Sequence, residues 1–172
     1  MALLIDGFNL IYKFPELESY MYINRLDKAR DGLLAILRDY QRVKKGGITV
    51  VFDGKKEPSR NIRSERAGSI DVYYSIDYSA DYLIKEFIKK DMNPRMITVV
   101  TSDKDIIFFI NRFGAKNITS EKFAEAVKSA IEAARMEEEL EKINDAKANP
   151  SVSDDEITYW QKLFTKKNPG RK

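Results

Sequence analysis

The sequence contains neither cysteine nor histidine. Without cysteine there is no disulfide, no thiolate nucleophile and no thiolate zinc site. That composition agrees with a reducing cytoplasm, which is the expected location. Without histidine the usual general base near neutral pH, the commonest zinc ligand and any Ser-His triad are excluded. The chemistry left to such a chain rests on carboxylates, lysines, hydroxyls or an oxygen-ligated metal. Long apolar runs are missing too, none approaching the roughly 20 residues that span a bilayer. The first residues enter a strand directly, with no basic segment or cleavage site ahead of it, so no membrane partner is expected. The formal charge of +3 is too small to name a partner by itself. Internal repeats are absent.

What is present describes a globular protein. Its 172 residues suffice for one well-packed domain with an appendage, and a 43% apolar content can supply the core. Ala2 to Ile5 is a short apolar run that stops at Asp6-Gly7-Phe8-Asn9. A run of that length reads as a buried strand; Asp-Gly suits a sharp turn, and Asn9 suits the cap of a following helix. Tyr12 to Tyr22, interrupted by Pro15, reads as a helical turn and loop. From Asp27 to Lys44, Leu33, Leu34, Ile36, Leu37, Tyr40 and Val43 recur at helical spacing, and Gly46-Gly47 closes the segment. Ile48 to Phe52 is a second strand and again ends in Asp53-Gly54. Lys55 to Gly68 reads as a polar, basic loop. Ile70 to Ser75 follows as a strand, then a helix opened by Ser79-Ala80-Asp81 and ended by Asn93-Pro94. Met96 to Val100 is a fourth strand, running into Thr101-Ser102-Asp103-Lys104-Asp105. A short helix, a short fifth strand near Ala115 to Ile118 and a helix capped by Ser120 complete the pattern.

Nearly all-apolar strands alternating with helices predict an α/β fold: a three-layer sandwich around a mainly parallel sheet of about four or five strands, with a C-terminal helical extension. The expected division is a domain over 1–131, a helix extension and linker over 132–150 with Asn144 to Pro150 as the linker, and a short amphipathic helix with a basic tail over 151–172. That last helix carries Ile157, Tyr159, Trp160, Leu163 and Phe164, a face expected to dock on its own domain or on a protein partner.

Three apolar strands end in aspartate, at Asp6, Asp53 and Asp103, and Asp81 begins a helix. In a parallel sheet strand C-termini and the following helix N-termini share one edge, so these four should converge. Grouped carboxylates repel and raise one another's pKa values unless a cation intervenes. An all-oxygen set lacking His and Cys suits Mg²⁺ or Mn²⁺. Taken singly each aspartate has an ordinary explanation as a turn or cap residue, Asp105 especially; their shared edge is what singles them out. The loop leaving Asp53 bears Lys55, Lys56, Arg60, Arg63 and Arg66 against Glu57 and Glu65. Acidic metal pocket and basic loop together suit a phosphodiester, with the loop on the neighbouring backbone. The chain has neither the G-x-G-x-x-G of a dinucleotide fold nor a G-x-x-x-x-G-K-[ST] phosphate loop.

Leu4-Ile5-Asp6-Gly7-Phe8-Asn9-Leu10-Ile11 resembles the (V/I)DGYN(V/I)I opening of NYN domains, which belong to the PIN-like ribonucleases. Ala29-Arg30-Asp31, Val50-Val51-Phe52-Asp53, Ser79-Ala80-Asp81 and Val99-Val100-Thr101-Ser102-Asp103 follow in order and resemble the YacP-like branch. The likeness covers about residues 2 to 130. It implies a PIN-like fold, divalent-metal-dependent endoribonuclease activity in the cytoplasm and RNA as substrate; relatives include a ribosome-associated enzyme acting on mRNA. It also implies site roles. Asp6, Asp81 and Asp103 match metal ligands, Asp53 a further ligand or a residue behind them, and Asn9 the asparagine that positions a water or phosphate oxygen. Asp77, Ser102 and Asp105 are additional candidates. Relatives commonly carry G-E-T-A-D where this chain has Asp77-Tyr78-Ser79-Ala80-Asp81, which puts Tyr78 at the glutamate position with Asp77 one residue earlier. That departure keeps a second reading open: an RNA- or ribosome-binding module of the same fold with weak or no catalysis.

Overall fold

The structure, a computed structural model, describes residues 2–54, 64–148 and 154–166. Strand Ala2–Asp6 (β1) is central because both its edges and both its faces are covered. Gly47–Asp53 (β2) pairs with it in parallel on one side and Ile97–Val100 (β5) on the other. A strand so enclosed has no polar face, and Leu4 and Ile5 are buried in the hydrophobic clusters on opposite sides of the sheet. Ile70–Ser75 (β4) continues the parallel pairing beyond β2, and Lys116–Ile118 (β6) does so beyond β5. Ser64–Ala67 (β3) pairs antiparallel to β4, giving the order β3-β4-β2-β1-β5-β6.

The fold is thus the expected α/β sandwich with a mainly parallel sheet, but with six strands among the described residues. The strand not anticipated is β3, whose Ser-Glu-Arg-Ala sequence has the polarity of a loop. An edge strand needs few apolar residues, and charges on it discourage pairing with other chains.

One face of the sheet is covered by Gly7–Ile11 (α1), Pro15–Tyr22 (α2), Leu26–Val43 (α3) and the start of Ser120–Ala148 (α6), through Leu10, Phe14, Leu33, Leu37, Phe123 and Val127. Ala80–Lys90 (α4) and Lys104–Asn111 (α5) cover the other, through Ile84, Ile88, Ile106 and Ile110. Pro15 does not break the segment it sits in. It opens α2 at a first-turn position, where a missing N–H costs nothing. Arg30 of α3 is buried at 2% exposure, with its guanidinium 5.7 Å from the Tyr74 ring centre and its Nε 3.6 Å from Asp31.

By backbone proximity the chain divides into Met1–Ala133 and Ala134–Lys172. The second unit holds the outer part of α6 and Asp154–Lys166 (α7), where the Tyr159 and Trp160 rings meet edge to face at 5.8 Å. The linker expected from Asn144 is corrected as far as Ala148, which is helical. No glycine or proline interrupts residues 120–148, and Ala, Glu, Lys and Arg dominate its outer half, so helix propensity carries it on. Among the described residues no helix is long and apolar enough to cross a membrane.

Candidate active site

The parallel strands bring Asp6, Asp53 and Thr101-Ser102-Asp103 to one edge, at the crevice where the chain passes from β1 outward in both directions. Asp6 closes β1 and itself caps α1, its Oδ1 accepting the Asn9 N–H at 3.4 Å. Its Oδ2 accepts the Thr101 hydroxyl at 3.2 Å. Asp6 is only 8% exposed. The backbone turns from strand to helix at Asp6-Gly7 as anticipated, but Gly7 is not there for a positive φ. What it serves is closeness: a Cβ there would lie 2.3 Å from the Phe52 ring, which packs edge to face on Phe8 at 5.3 Å.

Asn9 does not cap the helix but lies within it. Its Oδ1 accepts the Ser102 N–H at 3.1 Å and the Ser120 hydroxyl at 2.6 Å. A backbone N–H can only donate, so the oxygen must face Ser102 and the amide nitrogen is turned the other way. Ser120 is corrected likewise. Thr119 Oγ1 accepts the Lys122 N–H at 3.4 Å as the cap, which frees the Ser120 hydroxyl for Asn9.

Asp103 caps α5, its Oδ1 accepting the N–H groups of Asp105 at 2.8 Å and Ile106 at 3.2 Å. Its own N–H donates to Thr101 Oγ1 at 3.1 Å. The Thr101 hydroxyl therefore joins the two caps, accepting from Asp103 and donating to Asp6. Ser102 Oγ accepts the Ser120 N–H at 3.0 Å and donates to Glu121 at 2.5 Å. Glu121 also pairs with Lys13 at 2.7 Å, and the bonds from Lys13 and then Ser102 hold its pKa down at about 2. Asp81 lies in the first turn of α4, where Ser79 Oγ accepts the Tyr82 N–H at 3.2 Å as cap.

Electrostatics show which carboxylates meet. The Asp6 pKa is pushed up to about 6, chiefly by burial; the Asn9 and Thr101 hydrogen bonds oppose this, and Asp81 and Asp103 add to it. Asp81 is raised as well, by partial burial and then by Asp103, with smaller contributions from Asp105 and Asp53 against a lowering by Lys85. Asp6, Asp53, Asp81, Asp103 and Asp105 thus share one field of negative charge. Among the described residues, however, no three acidic side chains are close enough in this conformation to hold one ion together. The donor chemistry still fits a hard cation. Mg²⁺ keeps most of its water and needs only one or two carboxylates besides substrate phosphate.

The remaining candidates are less central. Asp77 and Tyr78 are exposed between β4 and α4. Arg66, expected in a loop beside the carboxylates, instead lies in β3 opposite Asp71, with its Nε 3.5 Å from that carboxylate. Asp71 lies near the start of β4, so Arg66 is carried towards the other edge of the sheet. Lys55, Lys56, Arg60 and Arg63 lie outside the described residues. The sequence reading did not single out Lys13, Ser120 and Glu121 as site residues. Their link to Asn9 and Ser102 spans up to 111 positions and has no local signature.

This sheet order and strand-end cluster belong to a PIN-like nuclease fold. The chain is a member of the YacP-like NYN domain family, whose model matches residues 3–165. Two crystal structures of Rae1 (YacP) from Bacillus subtilis are similar to it. One superposes with a TM-score of 0.66 at 22% identity, covering 96% of this chain and 95% of that one. The other, a tryptophan-to-leucine mutant, gives 0.64 at 25% identity and covers 84% of each chain. No curated protein matches the chain in sequence. The resemblance read from the opening motif thus extends over almost the whole chain, and a nuclease-type, RNA-related function goes with the family.

Proposed function

We propose that this chain is a cytoplasmic endoribonuclease that cleaves RNA phosphodiester bonds with Mg²⁺ or Mn²⁺. The observation that carries the reading is Asp6: a carboxylate buried at a sheet edge, its pKa raised towards 6, with Asp81 and Asp103 adding negative charge around it. A protein keeps so unfavourable a cluster where a cation or its ligand relieves it. Asp6, Asp81 and Asp103 would hold the cation, one or two of them directly and the rest through its bound water, with Asp53 and Asp105 adding to the negative field. When bound, the ion supplies charge neutralisation at the phosphate and a water of lowered pKa.

The chain's own groups do the rest. Thr101 holds one oxygen of Asp6 in place and ties its position to Asp103. Asn9, fastened through its oxygen, turns its amide N–H groups outward as donors for a phosphate oxygen. Ser102, braced by Glu121 and Lys13, keeps the turn after β5 in register with α1 and α6. Hydrolysis with water in line to the leaving oxygen breaks the P–O3′ bond and yields a 3′-hydroxyl and a 5′-phosphate. Kinship with the YacP branch supports mRNA as the RNA and the ribosome as a partner.

The test is cleavage of mixed single-stranded and structured RNA in Mn²⁺ by the wild-type, Asp6→Asn and Asp103→Asn chains. Cleavage by the wild type alone supports the assignment, and equal metal-dependent cleavage by all three refutes it. Tyr78, standing where relatives commonly have glutamate, favours a second reading as a binding module of the same fold. Calorimetry that finds no Mn²⁺ binding, together with RNA affinity lost in Arg60→Ala and Arg63→Ala, would select that one.

A further inference from the structure

Tyr78 puts an aromatic ring where the family resemblance places an acid, and that ring is 60% exposed. It stacks on Tyr82, itself 46% exposed, with centroids 4.6 Å apart and planes 29° from parallel. Neither ring belongs to the core. The side chains by which α4 packs on the sheet are those of Ala80, Ile84 and Ile88. The pair is nevertheless held in place, because Ser79, next to Tyr78, accepts the N–H of Tyr82. Asp81, the residue before Tyr82 in the same first turn of α4, carries the carboxylate on which Asp103 acts through space.

Tyr78 also lines a cavity of about 250 Å³, together with Tyr73, Tyr74, Ile76, Leu83 and Asp77. Its walls are mostly aromatic and aliphatic, and Asp77 is the charged member among the described lining residues. Such a lining repels a phosphate. A carboxylate beside aromatic faces suits a flat, unsaturated ring with N–H groups on its edge, since every nucleobase has a π-face and carboxylates accept from base N–H donors. A base held in a duplex could not enter; one splayed from a single strand could.

We propose that the Tyr78–Tyr82 pair and the adjoining cavity form a nucleobase subsite, in which an unpaired base of single-stranded RNA lies against Tyr78 while its neighbouring phosphate is presented to the Asp81 edge. This rests on RNA being the ligand, as proposed above, and not on cleavage. The Tyr78 departure from the family pattern then trades a carboxylate for a positioning surface.

The test measures fluorescence anisotropy of two 5′-fluorescein strands of equal length, an oligouridylate and the corresponding abasic ribose-phosphate strand. The full-length chain carries Asp6→Asn so that the RNA survives the measurement. Tyr78→Ala should weaken oligouridylate binding about tenfold, within the range found for loss of one base–aromatic stack. It should leave the abasic strand unchanged, and Tyr78→Phe should leave both unchanged. An equal loss on both strands, or no loss on either, overturns the subsite. Should Tyr78→Ala fail to fold by circular dichroism, Tyr78→Leu replaces it, keeping apolar volume without a π-face, and must lose affinity where Tyr78→Phe does not. Binding with these ratios by a wild-type chain that never cleaves would remove the nuclease reading and leave the subsite. Metal-dependent cleavage by a chain indifferent to Tyr78 on both strands would do the reverse.

Discussion

The turn after β1 and the turn after β5 are built to one local plan. Each has an apolar strand, then an aspartate, then a helix whose first N–H groups that aspartate caps. Yet the two carboxylates stand in different positions. Asp103 is half-buried and gives one oxygen to two backbone donors at 2.8 and 3.2 Å. Asp6 is buried, accepts one long backbone bond of 3.4 Å and one hydroxyl, and its pKa climbs to about 6. Identical local grammar thus yields one aspartate well served as a cap and another poorly solvated and surrounded by like charge. The lesson is that strand order, not the motif, decides which carboxylate is costly to ionise. β1 has a neighbour on each side, and Thr101 roofs its tip.

The sharpest break of that comparison is Asp6→Asn. Cleavage should fall about a thousandfold, a barrier increase of roughly 4 kcal/mol, and be read from initial rates on the same RNA. The same variant should be more stable than the wild type at neutral pH. An aspartate whose folded pKa lies above its unfolded value is tolerated while protonated, and the penalty grows as pH rises from about 4 through about 6. Two units correspond to about 3 kcal/mol. That is a ceiling here, because the new amide also faces the Thr101 hydroxyl. Denaturant melts at pH 4 and pH 7 check it: wild-type stability should drop between them by more than that of Asp6→Asn. Metal-limited cleavage should accordingly rise as pH passes about 6.

Asn9→Ala comes next, since it strands the Ser102 N–H and the Ser120 hydroxyl together. Chemical denaturation should show a loss of about 1–3 kcal/mol. At Asp103 two substitutions separate the cap from the charge. Asp103→Ala should cost about 1 kcal/mol as a lost cap, whereas Asp103→Asn should keep stability because asparagine caps as well. Since Asp103 helps to raise Asp6, Asp103→Asn should also move the acid limb of any residual cleavage to lower pH. Smallest of all, Glu121→Gln weakens a partly exposed pair with Lys13 and should change the melting temperature little, as exposed pairs contribute about 0–1 kcal/mol.

How far the sequence could be read follows the range of the interactions. Asp6, Asp53 and Asp103 were visible because a buried strand is a run of apolar residues and its end is marked by the first charge. Asp81 was visible through the Ser79 cap beside it. The third and sixth strands illustrate the limit. β6 kept enough apolar character to be seen, but β3, at the exposed edge, had a composition indistinguishable from a loop, and Arg66 was misplaced with it. Asn9 could be recognised as unusual, though not for its actual work, because its partners are 93 and 111 residues away. Tyr78 could be recognised as a departure from the family pattern; that it stacks on Tyr82 follows from the helix start that brings the two rings together.

The amino-acid sequence by itself determined the family and narrowed the chemistry. With no histidine or cysteine, what remains is carboxylates, lysines, hydroxyls or an oxygen-ligated metal, and the carboxylates stand at successive strand ends. The motifs that carry the family likeness are local runs of a few residues each. What only the tertiary structure decided is which of those carboxylates bears the strain. Burial and charge act through space, and Asp6 meets Thr101, Asp81 and Asp103 solely because β1 and β5 lie side by side while α4 begins above them.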